Sequence, residues 1–335
     1  MTSSTRFEPT PFLPTLADIE DAARQIAGMA VRTPLLESPV LNARLGGRLL
    51  IKAEPMQRTG SFKFRGAYNR ISRLDAKQKK SGVVTYSSGN HAQGVAAAAQ
   101  ILGIPAVILM PADAPAIKVR NTKAYGAEVI HFDRYTENRE ARGQAVCAER
   151  GAVLVPPYED PYIIAGQGTV GLEIVAQAAE AGARLDAVLV NCGGGGLVAG
   201  TSTAIKGKLP GVPVYAVEPQ GFDDTARSLK SGKLESNDPA ARSICDALLA
   251  PTPGDLTFSI NRKTLAGGFA VSDDEALQAM ATAFNDLKLV VEPGGAVSLA
   301  AVLTGKYPIK GKTVAVVCSG GNVDTDVFVR ALRSA

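Results

Sequence analysis

The feature that most constrains how this chain can fold is a regular alternation of short β-branched runs with helical stretches of roughly 10–15 residues. The strand runs fall at 48–53, 82–86, 106–110, 128–132, 153–155, 187–191, 213–217 and 313–318. Helical spacing of apolar residues covers 16–29, 66–74, 90–102, 116–125, 139–149, 169–181 and 197–208. Strands separated by crossover helices pair in parallel, since each crossover returns the chain to the same end of the sheet. The expectation is an α/β protein with two open twisted sheets and helices on both faces. Breaks at 75–81 (DAKQKKS) and at Pro156-Pro157 set off a middle block. They divide the chain into a discontinuous large domain, 1–70 with 160–335, and a small domain, 71–159.

With 335 residues, 46% of them hydrophobic, the chain can bury two such sheets. Lys+Arg 36 against Asp+Glu 32 leaves a net charge of only +4, and the basic residues are scattered, so nucleic acid is not an expected partner. Cys147, Cys192, Cys245 and Cys318 stand far apart with no CxxC, which predicts reduced thiols rather than disulfides or structural zinc. Only His91 and His131 are present, and no HExxH, which argues against a zinc hydrolase. The N-terminal stretch lacks the basic-then-apolar pattern of a secretory signal, and the longest apolar run, 92–112, is interrupted by Gln93, Gln100, Gly103 and Pro105. No membrane partner is expected, and the expected location is the cytoplasm.

Four segments at strand ends carry chemistry. The first, NCGGGGLVAG (191–200), follows an apolar strand and opens a helix. Glycines without Cβ expose backbone N–H groups, and a helix N-terminus adds partial positive charge, so the loop suits a phosphate. A tight turn alone explains one or two glycines, not four. Gly194, Gly196 and Ala199 also fit GxGxxA, with Glu218 closing the next strand, so a nicotinamide dehydrogenase binding NAD is a rival. In the second, TGSFKFRGA (59–67), Lys63 lies between Phe62 and Phe64. Aromatic surroundings disfavour the charged amine and leave the free amine that forms a Schiff base, although any one lysine is by default a solvated one. The third, YSSGNH (86–91), and the fourth, CSGGN (318–322), supply small hydroxyl and amide groups. Open α/β sheets bind ligands at such strand ends, and a phosphate cradle beside a reactive lysine points to pyridoxal phosphate.

SFKFRGA, SSGNH, AGQGT, GGGGL, EPGGA and SGGN, in this order, resemble the pyridoxal-phosphate enzymes of the tryptophan-synthase-β fold, fold type II, in the branch of serine/threonine dehydratases and serine racemases. The resemblance runs over 19–326. It implies that Lys63 holds the cofactor, with Phe62 on its ring, Asn90 at the ring hydroxyl, Gly193, Gly194, Gly195 and Gly196 around the phosphate, and Ser319 at the ring nitrogen. It implies that Ser87, Ser88, Asn90 and His91 grip the substrate carboxylate and that Arg139 (TENRE) reaches the site. EPQGFDD (218–224) resembles the segment where racemase-like members bind a divalent cation through Glu218, a carbonyl near Phe222, and Asp224; oxygen ligands suit Mg²⁺ or Ca²⁺. A homodimer is implied as well. Relatives usually read ADG where this chain has Cys245, Asp246 and Ala247, and Asn191 and Cys192 also depart from the pattern.

The reaction expected from the resemblance is loss of water from a β-hydroxy-α-amino acid, followed by hydrolysis of the resulting aminoacrylate to a 2-oxo acid and ammonia. Serine, threonine, 3-hydroxyaspartate and a bulkier β-substituted serine all fit as the small-molecule substrate. Lys63 would be the base, and the β-hydroxyl would leave with a proton from the cofactor phosphate. Racemisation, with Ser88 as the acid on the opposite face, is the alternative within the family.

Overall fold

The computed structural model describes residues 12–87, 89–114, 116–133 and 136–333. Among them the strands are β1 (Leu35–Glu37), β2 (Arg48–Ala53), β3 (Val83–Tyr86), β4 (Ala106–Pro111), β5 (Glu128–Phe132), β6 (Val153–Leu154), β7 (Ala187–Asn191), β8 (Val214–Pro219), β9 (Gly267–Val271) and β10 (Thr313–Cys318). One sheet has the order β1-β2-β10-β7-β8-β9, the other β5-β4-β3-β6. Every pairing is parallel except that of β1 with β2. The expected α/β class with two sheets is therefore what the chain forms. All four strands of the smaller sheet come from the middle block, and those of the larger sheet lie on either side of it.

Residues alternate faces along the strands, which is why both faces of the larger sheet are apolar. Ile51, Leu189, Val217 and Val316 pack on one side, against helices Asp273–Leu287 and Pro293–Leu303. Leu50, Val188, Val190 and Val317 pack on the other, against Val170, Ile174, Val198 and Ile205. The smaller sheet sends Val83, Ile108 and Met110 towards helix Asn90–Leu102, and Val84, Val107 and Leu109 towards Val146.

One element differs usefully from the sequence reading. The helix expected at 169–181 begins eight residues earlier and runs Pro161–Glu180. Asp160 caps it, its carboxylate accepting the N–H groups of Tyr162 and Ile163 at 2.8 and 3.0 Å, and Pro161 stands where its missing N–H costs nothing. The glycines of AGQGT serve contact. A Cβ on Gly168 would lie 2.8 Å from the Gly200 carbonyl oxygen, and one on Gly166 2.6 Å from that of Arg65. Helices Lys63–Ser72, Pro161–Glu180 and Gly196–Lys208 thereby meet backbone to backbone.

A buried ion network sits behind this junction. Arg65 forks onto Glu54 (2.8 Å to each carboxylate oxygen) and donates to Glu173 at 2.6 Å, while Lys52 donates to Glu173 at 2.5 Å. Lys52, Glu54 and Arg65 are wholly buried. Burial alone would favour neutral Glu54, but the Arg65 guanidinium outweighs it and holds the carboxyl below its usual range. Two cations and two anions balance, which is the condition for burying charge at tolerable cost. Arg65 is two residues from Lys63, so the network anchors the first turn of that helix. Among the described residues no helix is long and apolar enough to cross a membrane, and all four cysteines are unpaired.

Candidate active site

The C-terminal ends of β3, β7 and β10 and the start of helix Lys63–Ser72 open onto one cleft. It is lined by Phe62, Lys63, Ser87, Asn90, His91, Arg139, Gly193 to Gly196 and Ser319, so residues from positions 62 to 319 converge as the sequence motifs suggested. Ser88 lies outside the described residues. Tyr86, Lys118, Asn191 and the segment Asp246 to Ala250 join the lining without having been singled out as site residues.

Two lysines face the cleft, and their environments separate them. Lys63 Nζ donates to the Pro157 carbonyl at 2.8 Å and lies 5.2 Å from the centre of the Phe62 ring. Among the described residues it has no carboxylate partner, and burial lowers its pKa to about 8, which favours the free amine relative to an ordinary lysine. Lys118 is buried as well, but Asp246 and Glu292 outweigh that penalty and raise its pKa. Its ammonium is paired with Asp246. A nucleophilic amine is therefore available at Lys63 and withheld at Lys118.

The glycine loop has the vacant donors that a phosphate needs. Among the described residues, the N–H groups of Gly193, Gly194, Gly195 and Gly196 have no acceptor in the protein. Only Gly195 has positive φ, at 92°. The other three are required by packing: a Cβ would lie 3.0 Å from Leu248 at Gly193, 2.3 Å from the Tyr158 ring at Gly194, and 2.7 Å from Gln167 at Gly196. Turn geometry thus accounts for one glycine and close packing for three, while the freed N–H groups and the start of helix Gly196–Lys208 form an anion cradle.

Asn90 opens helix Asn90–Leu102 and is held at both ends of its amide. Its Nδ2 donates to Glu292 at 2.5 Å, and its Oδ1 accepts from Asn322 at 2.8 Å. One Nδ2 proton remains for a ligand. Glu292 is 1% exposed with one oxygen unpartnered, and burial, reinforced by Asp246, raises its pKa to about 7. Glu292 and Asn322 stand in two of the quoted motifs, but nothing in the sequence tied them to Asn90.

His91 has a narrower role than its motif suggested. Burial, with Lys63 nearby, depresses its pKa to about 3, so the ring is neutral. Its Nε2 is 3.0 Å from the Val155 carbonyl, which can only accept, so the single ring proton sits there. Nδ1 is a bare, buried acceptor without a partner, and such an imidazole does not hold a carboxylate. Arg139 places its guanidinium 5.6 Å from the centre of the Tyr86 ring, with its side chain 44% exposed. It begins helix Arg139–Arg150, where a cation opposes the helix dipole, so the position brings helix stability nothing.

Glu218, Phe222 and Asp224 lie apart from the cleft. Glu218 accepts the N–H groups of Thr225 and Ala226 at 3.0 and 2.8 Å and so closes the start of helix Asp224–Ser231. Asp224 accepts from Asn237 at 2.6 Å, and its other oxygen is buried without a partner. Burial, with Asp224 adding repulsion, raises Glu218 to about 8, and burial raises Asp224 to about 6. Phe222 is 8% exposed. An orphaned carboxylate oxygen beside a second crowded carboxyl is compatible with a hard cation, provided carbonyls or water complete the shell. The dehydrogenase reading fails here: Glu218 is buried and committed to two backbone N–H groups, so it is not a ribose-binding acid.

Comparison with known proteins agrees with this chemistry. The model of the family described as "Pyridoxal-phosphate dependent enzyme" matches residues 26–320. The chain is similar to L-threo-3-hydroxyaspartate ammonia-lyase of Pseudomonas sp, at 42% identity over 94% of this chain and 98% of that protein. It is similar to serine racemase of Schizosaccharomyces pombe, at 39% identity over 96% and 98%. Among solved structures, maize serine racemase superposes with a TM-score of 0.89 at 39% identity, covering 96% of this chain and 98% of that one.

Proposed function

Because this chain belongs to the pyridoxal-phosphate dependent enzymes, we propose that it is an ammonia-lyase that converts a β-hydroxy-α-amino acid to a 2-oxo acid and ammonia. The observation that carries this is the unpaired Lys63 amine, lowered to about 8, beside four glycine N–H groups without acceptors. When bound, the cofactor supplies an electron sink for the pair left at the substrate Cα. Lys63 takes up the Cα proton on Nζ. Gly193, Gly194, Gly195 and Gly196 would hold the phosphate, Phe62 would pack on the ring, Asn90 would offer its free N–H to the ring hydroxyl, and Ser319 would face the ring nitrogen. The substrate carboxylate is held by the start of helix Asn90–Leu102 with Ser87 and Ser88, and His91 contributes there through its backbone. Arg139, which lines the cleft, would reach the substrate.

Racemisation is a second reading, supported by similarity to serine racemases such as the Schizosaccharomyces pombe protein. It requires an acid facing Lys63 across the substrate, a role proposed for Ser88. We further propose that Glu218, Asp224 and a carbonyl near Phe222 bind Mg²⁺ or Ca²⁺, that the two sheets are the cores of the domains 1–70 with 160–335 and 71–159, and that the enzyme works as a cytoplasmic homodimer. The test of the main reading is to incubate purified holoprotein with L-serine, L-threonine, L-threo-3-hydroxyaspartate and L-threo-3-phenylserine and to quantify ammonia, 2-oxo acid and D-isomer. Release of ammonia and 2-oxo acid in equal amounts from at least one substrate supports it; D-isomer alone replaces it with racemisation.

A further inference from the structure

Asn191 ends β7, immediately before the glycine loop. It is 2% exposed. Its Nδ2 lies 2.9 Å from the Gly294 carbonyl, 2.8 Å from that of Gly295 and 2.9 Å from Ser319 Oγ. Its Oδ1 accepts from the Ser298 N–H at 3.2 Å and from the Ser298 hydroxyl.

These partners leave the amide one orientation. A backbone N–H only donates and a carbonyl only accepts, so Oδ1 faces Ser298 and Nδ2 faces the two carbonyls and Ser319. Nδ2 has two protons for these three acceptors, so one N–H is shared, and towards Ser319 Oγ it acts as a donor. A serine hydroxyl has one proton, and this one cannot be directed back at a donor. Ser319 is 4% exposed, lines the cleft, and among the described residues has no acceptor for its own O–H. Its proton is therefore free for the ligand.

We propose that Asn191 is a positioning residue that fixes the Ser319 hydroxyl as a hydrogen-bond donor to the cofactor's ring nitrogen and thereby keeps that nitrogen unprotonated. This rests on the pyridoxal-phosphate reading above. An unprotonated ring withdraws electrons weakly, so a pair left at Cα expels the β-hydroxyl in preference to being stored in the ring. Asn191 thus favours elimination over transamination without touching substrate.

Asn191→Asp tests the polarity, because its carboxyl must keep a proton to face the Gly294 and Gly295 carbonyls and so has none to give Ser319, towards which it only accepts. Ser319 would turn its proton towards Asp and offer a lone pair to the ring nitrogen, which is then stable only when protonated. The experiment loads wild type, Asn191→Asp and Asn191→Ala with pyridoxal phosphate carrying ¹⁵N in the ring. It records the ring ¹⁵N shift, the cofactor dissociation constant, the ratio of elimination to transamination, and circular dichroism as a check of folding. The wild type should show an unprotonated nitrogen. Asn191→Asp should move the resonance to the protonated range and lower the ratio by at least about tenfold, the scale of one hydrogen bond. Should Asn191→Asp fail to fold, Asn191→Ala decides: about tenfold weaker cofactor binding and a lower ratio support the proposal. A folded variant with wild-type resonance, affinity and ratio overturns it, as does a protonated nitrogen in the wild type. Wild type that holds no cofactor on Lys63 overturns the functional reading, and this proposal with it.

Discussion

The two walls of the cleft are built differently. Around the glycine loop, polarity is set by groups that cannot reverse: glycine N–H groups, an Asn90 amide held by Glu292 and Asn322, and an Asn191 amide held by Ser298 and two carbonyls. The remaining lining is built from long charged chains and a run of apolar residues. Lys118 is tied to Asp246, Arg139 lies over Tyr86, and Ala247, Leu248, Leu249 and Ala250 follow. Asp246 and Arg139 have side chains 45% and 44% exposed, whereas Asn90, Asn191, Glu292 and Ser319 are all buried. A preorganised wall fixes the chemistry; one with exposed members such as Asp246 and Arg139 can be altered there without losing it. Asp246 and Ala247 fall on the second wall.

If the division holds, variants of the first wall will remove activity or cofactor, and variants of the second will shift substrate preference. The largest effect is expected at Lys63. Lys63→Ala should lower kcat/KM by at least about a thousandfold, since it removes both the attachment point and the base, as read by ammonia release. Next is Gly194→Ala, whose Cβ would meet the Tyr158 ring at 2.3 Å. Relieving that contact costs about 1–3 kcal/mol and should weaken the cofactor dissociation constant roughly ten- to hundredfold, with Tm checked for folding.

Away from both walls, Glu218 and Asp224 predict a pH effect on stability. Both have raised pKa values in the folded protein, about 8 and about 6. Between the ordinary carboxyl range and those values the folded state binds more protons than the unfolded one, so stability falls as pH rises. In chelator, Tm should therefore fall between pH 6 and about 8 through Glu218. Mg²⁺ or Ca²⁺ should restore it, by about 2.7 kcal/mol at 100 times the dissociation constant. Asp224→Asn should abolish the cation's effect. An unchanged melting temperature after chelation and re-addition removes the metal from the proposal. The smallest effect is expected at Asp246→Ala, which frees Lys118: substrate KM should shift a few-fold with cofactor affinity unchanged.

Much of the cofactor wall was legible in the sequence because its motifs are local. TGSFKFRGA, YSSGNH, the glycine loop and CSGGN each place a strand end or helix start from a few adjacent residues. The partners behind them were not legible. Glu292 lies 202 positions from Asn90, and Ser319 lies 128 from Asn191, so only the fold pairs them. The early start of helix Pro161–Glu180 is hidden for a related reason: glycines that break an isolated helix are favoured where another backbone packs against them. The His91 assignment needed its tautomer, which depends on the Val155 carbonyl 64 positions away.

The most direct test of the central claim is borohydride reduction of the holoprotein followed by peptide mass mapping. Two lysines line the cleft, and only Lys63 offers a free amine at moderate pH. The predicted result is one phosphopyridoxyl group, on the peptide that contains Lys63. A modification on Lys118, or a protein that takes up no label while folded, would contradict it.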